Sequence, residues 1–286
     1  MFRVLPAGLA GPVLLAALLA GLAPVAAQTL NRVPHDIEAG DYTLRFLEDP
    51  DIGFVDTLQV LRGGEVVFET LFEAFVQMVD EPPGSPDGVL PLGLDVDATG
   101  DGRPDFVLQS YSGGAHCCFY TQVIEREPEL ALLAEFDGSD SPVSLEQRDA
   151  DPALEVVLYD WSFAYWKAPF AESPAPLVIL DLQEGVYLGA VELMRQPAPP
   201  PAEIASLAAV ARQAMREARA PTSALWGPML DLIYSGNGEA AFQLFDQGWE
   251  PTLGGRDAFL VQFGAQLSLS PYWETVTQLN GWTTDF

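Results

Sequence analysis

The chain has 286 residues, 49% of them hydrophobic, and its 41 acidic and 13 basic side chains give a formal net charge of −28. This length and apolar fraction suit one large domain or two ordinary domains with a sizeable core. The excess negative charge would repel nucleic acids and anionic membranes, which excludes both as partners.

Residues 1–27 are predicted to be a signal peptide. Arg3 supplies a positive start, residues 13–22 form an apolar core too short to span a bilayer, and small residues precede a predicted cleavage after Ala27. An uncleaved membrane anchor is the alternative. We therefore expect a bacterial protein of the periplasm or the medium, with no membrane insertion after cleavage.

Residues 28–196 are predicted to form a β-rich domain. Short apolar runs alternate with turn signals, and no amphipathic pattern of three helical turns occurs among them. The pair Gly63-Gly64 separates two such runs, 57–62 and 65–69, and can supply the positive φ angles of a two-residue hairpin turn.

In the loop at residues 97–105, residue type and spacing together specify a chemistry. Oxygen-bearing groups recur at alternate positions around a glycine, Gly102, which permits a sharp turn, and hard oxygen ligands of this kind suit calcium. The predicted ligands are four side chains and one backbone carbonyl: Asp97, Thr99, Asp101 and Asp105, with the carbonyl of Arg103.

This loop, together with the apolar residues 106–108 that follow it, resembles the calcium loop of FG-GAP and VCBS-type repeats in bacterial secreted proteins and integrin-type β-propellers. The resemblance implies a structural Ca²⁺ ion on a connection between strands and blade-like, propeller-like repeats. It implies no particular function, because the same loop decorates many secreted proteins.

A weaker copy of the loop lies fifty positions later. Gln147, Asp149, Asp151 and Glu155 occupy the equivalent positions, Pro152 replaces the glycine, and an apolar run again follows. The alternative is coincidence in an acidic chain, and metal binding is less expected here than at the first loop. With the earlier hairpin, the copies suggest three blade-like units, fewer than the four of the smallest usual closed propeller.

The two cysteines of the chain, Cys117 and Cys118, are adjacent. In an oxidising compartment they are predicted to form a vicinal disulfide, and a pair of buried, reduced thiols is the alternative. The turn from Ser112 to Cys118 also contains His116, so a nucleophile with a neighbouring base is conceivable. Catalytic partners are usually distant in sequence, which favours a structural turn.

An aromatic cluster occupies residues 161–166. If this segment is a strand, Trp161, Phe163 and Tyr165 share one face, and with Trp166 they form a possible binding surface. A core or inter-domain position is the competing interpretation.

Residues 197–202 are rich in proline and are predicted to be a stiff linker. Beyond it, residues 203–286 are predicted to form a small α-helical domain, with helices near 202–218, 223–234, 238–247 and 256–267. The charge changes at the same place: residues 28–200 contain 32 acidic and 8 basic side chains, whereas residues 201–286 contain 9 and 4.

The sequence thus predicts an exported protein with a mainly β N-terminal domain and a small all-α C-terminal domain. Calcium would stabilise the β-domain, which would bind an unidentified protein or glycan. The alternative is a secreted hydrolase that uses the acidic loops or the turn from Ser112 to Cys118. Scarce histidines and the lack of a visible catalytic motif favour binding, and no catalytic residue is assigned.

Overall fold

The computed structural model describes residues 33–51, 53–75, 89–113 and 118–283. The predicted signal peptide at residues 1–27 lies outside them. Among the described residues, no helix combines the length and the apolar character needed to cross a bilayer.

Three four-stranded antiparallel sheets follow one another along the chain, and in each sheet strands adjacent in sequence pair with each other. The first sheet contains β1 (Val33–Ala39), β2 (Tyr42–Asp49), β3 (Phe54–Arg62) and β4 (Glu65–Phe75). The second contains β5 (Val89–Val96), β6 (Asp105–Tyr111), β7 (Phe119–Glu125) and β8 (Ala131–Ser139). The third contains β9 (Ser144–Glu146), β10 (Glu155–Tyr159), β11 (Leu177–Gln183) and β12 (Val186–Gly189).

The hairpin predicted at Gly63-Gly64 is confirmed. It joins β3 to β4 with Arg62 paired to Glu65, and the two glycines have φ angles of 61° and 87°. Positive φ at both central positions gives the turn the twist that flanking strands require.

The first and second sheets pack face to face. Alternation along β6 directs Phe106 and Leu108 to the first sheet, and Ile124 of β7, which pairs with Phe106, lies on the same side. The first sheet contributes buried aliphatic and aromatic side chains to this core: Leu44, Phe46, Val55, Leu58, Val60 and Phe72.

The opposite face of the first sheet carries a polar row beside the exposed Leu71. Arg45 donates two hydrogen bonds of 2.8 Å to the Asp36 carboxylate, and the Gln59 amide donates one of 2.7 Å to Glu69. Paired Cα positions place these four residues in one row across the sheet. This sheet is therefore an outer layer of the protein.

A second core begins on the other face of the second sheet, where Val107 pairs with Val123. It continues through Val156 and Val178 of the third sheet into the helices, and includes the fully buried Trp226. The hydrophobic core thus extends across the proline-rich segment, and the described residues belong to one compact unit.

Six helices follow the strands: α1 (Val191–Met194), α2 (Pro201–Ala218), α3 (Ser223–Tyr234), α4 (Gly238–Gly248), α5 (Arg256–Leu267) and α6 (Trp273–Asn280). The predicted change from strands to helices is confirmed. Helix α2 begins at Pro201, inside the predicted linker, because a proline in the first turn removes no helical hydrogen bond. In the described residues the three sheets form an open stack, and neither a closed barrel nor a propeller is present.

Candidate metal centre

The first predicted calcium loop joins β5 to β6. Its last carboxylate, Asp105, is buried at the start of β6 and accepts hydrogen bonds from the amides of Ala98 at 3.0 Å and Thr99 at 3.1 Å. The Asp97 carboxylate accepts from the Gly102 amide at 2.9 Å, and Asp101 accepts from the Arg103 amide at 2.8 Å. The loop is therefore held in shape by hydrogen bonds from its backbone amides to its own carboxylates.

Two observations describe the electrostatics of this loop. Burial raises the pKa of the Asp105 carboxyl above its ordinary value, and the hydrogen bonds from Thr99 and Ala98 oppose that rise. The Oδ1 atom of Asp97 is buried and has no hydrogen-bond partner among the described residues. A buried carboxylate oxygen in that state is costly unless a cation or a donor meets it.

The second loop joins β9 to β10 and repeats this construction. Its last carboxylate, Glu155, is fully buried and accepts a hydrogen bond of 2.5 Å from the Arg148 amide. Asp149 and Asp151 each accept a hydrogen bond from the amide two residues later, at 2.8 and 2.9 Å. If Asp97 and Gln147 are counted as the first positions of their loops, the carboxylate at the ninth position, Asp105 or Glu155, accepts a hydrogen bond from the backbone amide at the second position in both loops.

The two loops differ at the first position. Where the first loop has the Asp97 carboxylate, the second has the amide of Gln147, whose Nε2 atom donates to the backbone carbonyls of Asp149, Asp151 and Ala153 at 3.4, 2.6 and 3.3 Å. A nitrogen donor thus draws three carbonyl oxygens together. A bound cation would attract carbonyl oxygens in the same way.

The second loop also brings its carboxylates together. One oxygen from each of Asp149, Asp151 and Glu155 lies within 4.8 Å of the other two, and among the described residues only this acidic group meets that spacing. The Glu155 Oε1 atom is buried and has no hydrogen-bond partner in the described part of the chain. The geometry therefore favours the second loop as a metal site more strongly than its sequence did.

The two loops contact each other. The Leu154 amide donates a hydrogen bond of 3.0 Å to the Ala98 carbonyl. Gly100, at a φ of 73°, lies so close that a Cβ atom there would meet the Ala153 amide nitrogen at 2.4 Å. The loops therefore form one unit at the junction of the second and third sheets.

Tyr187 of β12 reports the charge at this junction. Burial raises the pKa of its hydroxyl, and the negative charges of Asp105, Asp181, Glu125 and Glu155 raise it further. Asp105 of the first loop and Glu155 of the second both raise the pKa of this phenol, which agrees with the contact between the loops. Clustered negative charge of this kind favours a bound cation.

The turn from Ser112 to Cys118 closes the hairpin between β6 and β7. The Ser112 Oγ atom accepts a hydrogen bond of 2.7 Å from the Cys118 amide, and the Ser112 amide donates one of 2.9 Å to the Cys118 carbonyl. Cys118 is disulfide-bonded. His116 and Cys117 lie outside the described residues. The Ser112 hydroxyl thus has a structural use in this turn.

The expectation that the aromatic residues 161–166 share a strand face is wrong. This segment is a series of turns between β10 and β11, so the alternation of a strand does not apply. Phe163 is 1% exposed and contacts Phe263, and Trp166 packs edge-on against Trp226, so both belong to the core. Tyr165 is exposed and Trp161, like Trp166, is partly buried, and the rings of Trp161 and Tyr165 both contact Phe170.

The prediction of site residues missed a buried carboxylate at the end of β10. Asp160 accepts hydrogen bonds from the hydroxyls of Tyr234, Ser270 and Ser162, and also from the Ser162 amide at 2.8 Å. It thus joins the third sheet to the helices. Two of these partners are 74 and 110 residues away, and no local pattern in the sequence could have indicated them.

Comparison with known proteins shows no family. No family model matches the chain, and no solved structure matches it. A protein of Sinorhizobium fredii (strain NBRC 101917 / NGR234), described as "Uncharacterized protein y4bJ", is 32% identical over 83 residues. The match covers 28% of this chain and 13% of that relative.

Proposed function

We propose that this chain is an exported binding protein in which calcium, held by the two contacting loops, stabilises the packing of the second sheet on the third. The observation that carries the proposal is a pair of buried carboxylate oxygens that have no hydrogen-bond partner within the described ranges, Asp97 Oδ1 and Glu155 Oε1, one in each of two loops that touch. A hard cation would offset the cost of burying them.

The donor set fits calcium. In the second loop, Asp149, Asp151 and Glu155 would hold the ion, and in the first loop the ligands would be the groups that the sequence predicts. All of these are oxygen atoms, which calcium prefers, and no nitrogen or sulfur donor belongs to either set. Bound calcium would supply positive charge at the junction, while Asp105 and Glu155 hold the loop amides.

The repeat-like character of the sheets belongs to the same proposal. Each of the three sheets is a four-stranded antiparallel sheet whose sequential strands pair, and the two predicted calcium loops lead into the second strands of the second and third sheets. We interpret these sheets as blade-like repeats in an open stack. The polar face of the first sheet and the helices beside the third sheet would end the stack.

Export and binding rest on the sequence. The features of residues 1–27 support secretion into the periplasm or the medium of a bacterium. The scarcity of histidine and the structural use of the Ser112 hydroxyl support binding of a protein or glycan rather than hydrolysis. The net charge of −28 argues against a nucleic-acid partner.

Thermal unfolding with calcium and with a chelator tests the metal site. Calcium at a hundredfold excess over its dissociation constant would stabilise the folded state by about 2.7 kcal/mol, which raises the melting temperature. Calorimetric titration measures the affinity directly. A melting temperature that is the same in millimolar calcium and in chelator would refute the proposal.

A matched pair of variants separates the site from the bulk charge. Asp151→Asn removes one ligand charge but keeps an oxygen for the Ala153 amide, so its calcium affinity should fall about tenfold or more. Glu203→Gln removes one charge from an exposed position on α2 and should leave the affinity unchanged. Equal losses in both variants would mean that calcium responds only to net charge.

A further inference from the structure

A cleft of about 630 Å³ lies between the edge strands β8 and β12. The end of β10 and the residues before α6 complete its wall. The cleft falls within the volume range of small-molecule sites. None of its lining residues belongs to the calcium ligand sets, although Tyr187 of its wall lies within the field of Asp105 and Glu155, so the cleft adjoins the metal centre without including its ligands.

The wall of the cleft combines aromatic rings with carboxylates. Five aromatic residues line it: Phe136, Tyr159, Trp161, Tyr187 and Tyr272. Three acidic residues line it as well: Glu135, Asp137 and Asp160. No lysine, arginine or histidine occurs among the lining residues, and no basic side chain of the described residues forms an ion pair with these three acids.

Neighbouring groups fix several of the rings in place. Phe136 and Tyr187 meet edge to face with their centroids 5.1 Å apart. The Trp161 indole donates a hydrogen bond of 3.0 Å to the Ser141 hydroxyl, and Phe170 stacks on one of its faces at 5.2 Å. Because Phe170 does not line the cleft, the indole meets the cleft with its other face or its edge.

The three carboxylates differ in how many hydrogen bonds they accept from the protein. The oxygens of Asp160 are taken up by its hydroxyl and amide donors, so this acid contributes negative charge without a free ligand position. Asp137 is exposed and accepts a hydrogen bond of 2.7 Å from the Ser139 amide. Glu135 accepts one of 2.6 Å from the Gln122 amide. Glu135 is also exposed, but the Gln122 amide that it binds donates to the Leu71 carbonyl of the first sheet as well, which holds Glu135 on that side. Asp137 is therefore the exposed carboxylate of the wall whose charge reaches Tyr272.

Tyr272 connects the charge with the rings. Burial raises the pKa of its hydroxyl, and the charges of Asp160 and Asp137 contribute to the same rise. The phenol is therefore neutral at physiological pH, and its ring lies within the field of two carboxylates. An aromatic ring beside carboxylates, with no competing cation in the wall, presents negative potential to the cleft.

We propose that this cleft binds an organic ammonium ion, with the ammonium group among the aromatic rings and close to Asp137. The electron-rich faces of aromatic rings attract alkylated ammonium groups, and the neighbouring carboxylates add Coulomb attraction. A neutral sugar would also stack on Trp161 and donate hydroxyl hydrogen bonds to the carboxylates, but it would not gain the Coulomb attraction that these unpaired acids offer a cation. A free small amine and a lysine side chain of a peptide share the recognised chemistry.

The test uses choline as the probe, with the purified chain in saturating calcium so that the metal centre is in one state throughout. Calorimetry and tryptophan fluorescence report binding. The uncharged isostere 3,3-dimethylbutan-1-ol should bind about tenfold more weakly than choline, because it lacks the charge. A short lysine-containing peptide, as a second arm, distinguishes a peptide ligand from a free amine by which of the two binds more tightly.

Two pairs of variants locate the binding. Trp161→Leu and Asp137→Asn should each weaken choline binding about tenfold. Tyr165→Leu is the aromatic control, because Tyr165 also contacts Phe170 but does not line the cleft. Glu172→Gln is the charge control, because it is exposed and does not line the cleft. Both controls should bind choline as the original chain does.

The melting temperature of each variant shows whether it folds. If Trp161→Leu melts early, Trp161→Phe, which keeps a ring, takes its place. The proposal is overturned if neither choline nor the peptide binds. Equal affinity for choline and its isostere, or tighter binding of glucose than of choline, would also overturn it. If calcium raises the melting temperature but choline does not bind, the cleft proposal fails and the metal-site proposal stands.

Discussion

The hydrogen bond of 3.0 Å from the Leu154 amide to the Ala98 carbonyl joins the two loops through residues that are 56 positions apart in the chain. Ala98 occupies the second position of the first loop, and its own amide is bound by Asp105. Leu154 precedes Glu155, which binds the equivalent amide in the second loop. A change in either loop therefore reaches the other through the backbone.

Replacement of Gly100 should show how closely the loops pack. Gly100→Ala places a Cβ atom 2.4 Å from the Ala153 nitrogen and also strains a backbone with positive φ, so it should destabilise the fold by about 2–4 kcal/mol. Gly102→Ala is the control, because Gly102 has a φ of 85° but no heavy atom within 4 Å of the added carbon. Urea unfolding should give Gly102→Ala the smaller loss, and equal losses would contradict close packing of the loops.

The side chain of Gln147 should decide whether the second loop is held together by its own hydrogen bonds or by a bound calcium ion. Gln147→Asp replaces the nitrogen donor by a carboxylate, so it should raise the calcium affinity measured by calorimetry about tenfold. In chelator the same variant should melt earlier than the original chain, because three carbonyls lose their donor. Gln213→Asp makes the same exchange at an exposed position of α2 and should not raise the calcium affinity.

The aromatic segment after β10 offers a direct comparison of buried and exposed rings. Phe163→Ala should destabilise the protein by about 3–5 kcal/mol, because Phe163 is fully buried against Phe263 and Trp166. Tyr165→Ala, two residues away and 59% exposed, should change stability by no more than about 0.5 kcal/mol. Chemical denaturation of both variants gives the two values, and similar losses would contradict the burial described here.

Four of the helices could be predicted almost residue by residue, because proline and glycine residues mark their ends and helical periodicity fills the stretches between them. The same reasoning failed for residues 161–166, where Phe163 and Trp166 turn inward to contacts with Phe263 and Trp226. Those partners are 100 and 60 residues away. Only the folded chain decides which face of such a segment is covered.

The candidate metal loops could likewise be predicted from the sequence only in part. Spacing alone identified both loops and their ninth-position carboxylates, since a loop that wraps a cation needs oxygens at fixed intervals. Spacing could not show that Gln147 donates to three carbonyls, nor that Gly100 lies against Ala153. Both facts depend on contacts between atoms that a position count does not place.

The buried Asp160 provides a test of how the third sheet is joined to the helices. Asp160→Asn keeps the shape of the side chain but replaces one acceptor oxygen by an NH₂ group, which would face hydroxyl donors. The fold should lose about 2–4 kcal/mol, since a buried hydrogen-bonded charge is removed and its donors lose an acceptor. Tyr234→Phe should lose less, about 1–2 kcal/mol, because it removes one donor of several.

A double-mutant cycle completes this test. If Tyr234 acts through Asp160, the loss in the double variant should be smaller than the sum of the two single losses, by at least about 0.5 kcal/mol. Ser268→Ala is the control, since its hydroxyl bonds only the nearby Ala265 carbonyl among the described contacts, and it should add independently to Asp160→Asn. Strict additivity for Asp160 and Tyr234 would show that the hydrogen bond between these two residues does not couple the third sheet to the helices.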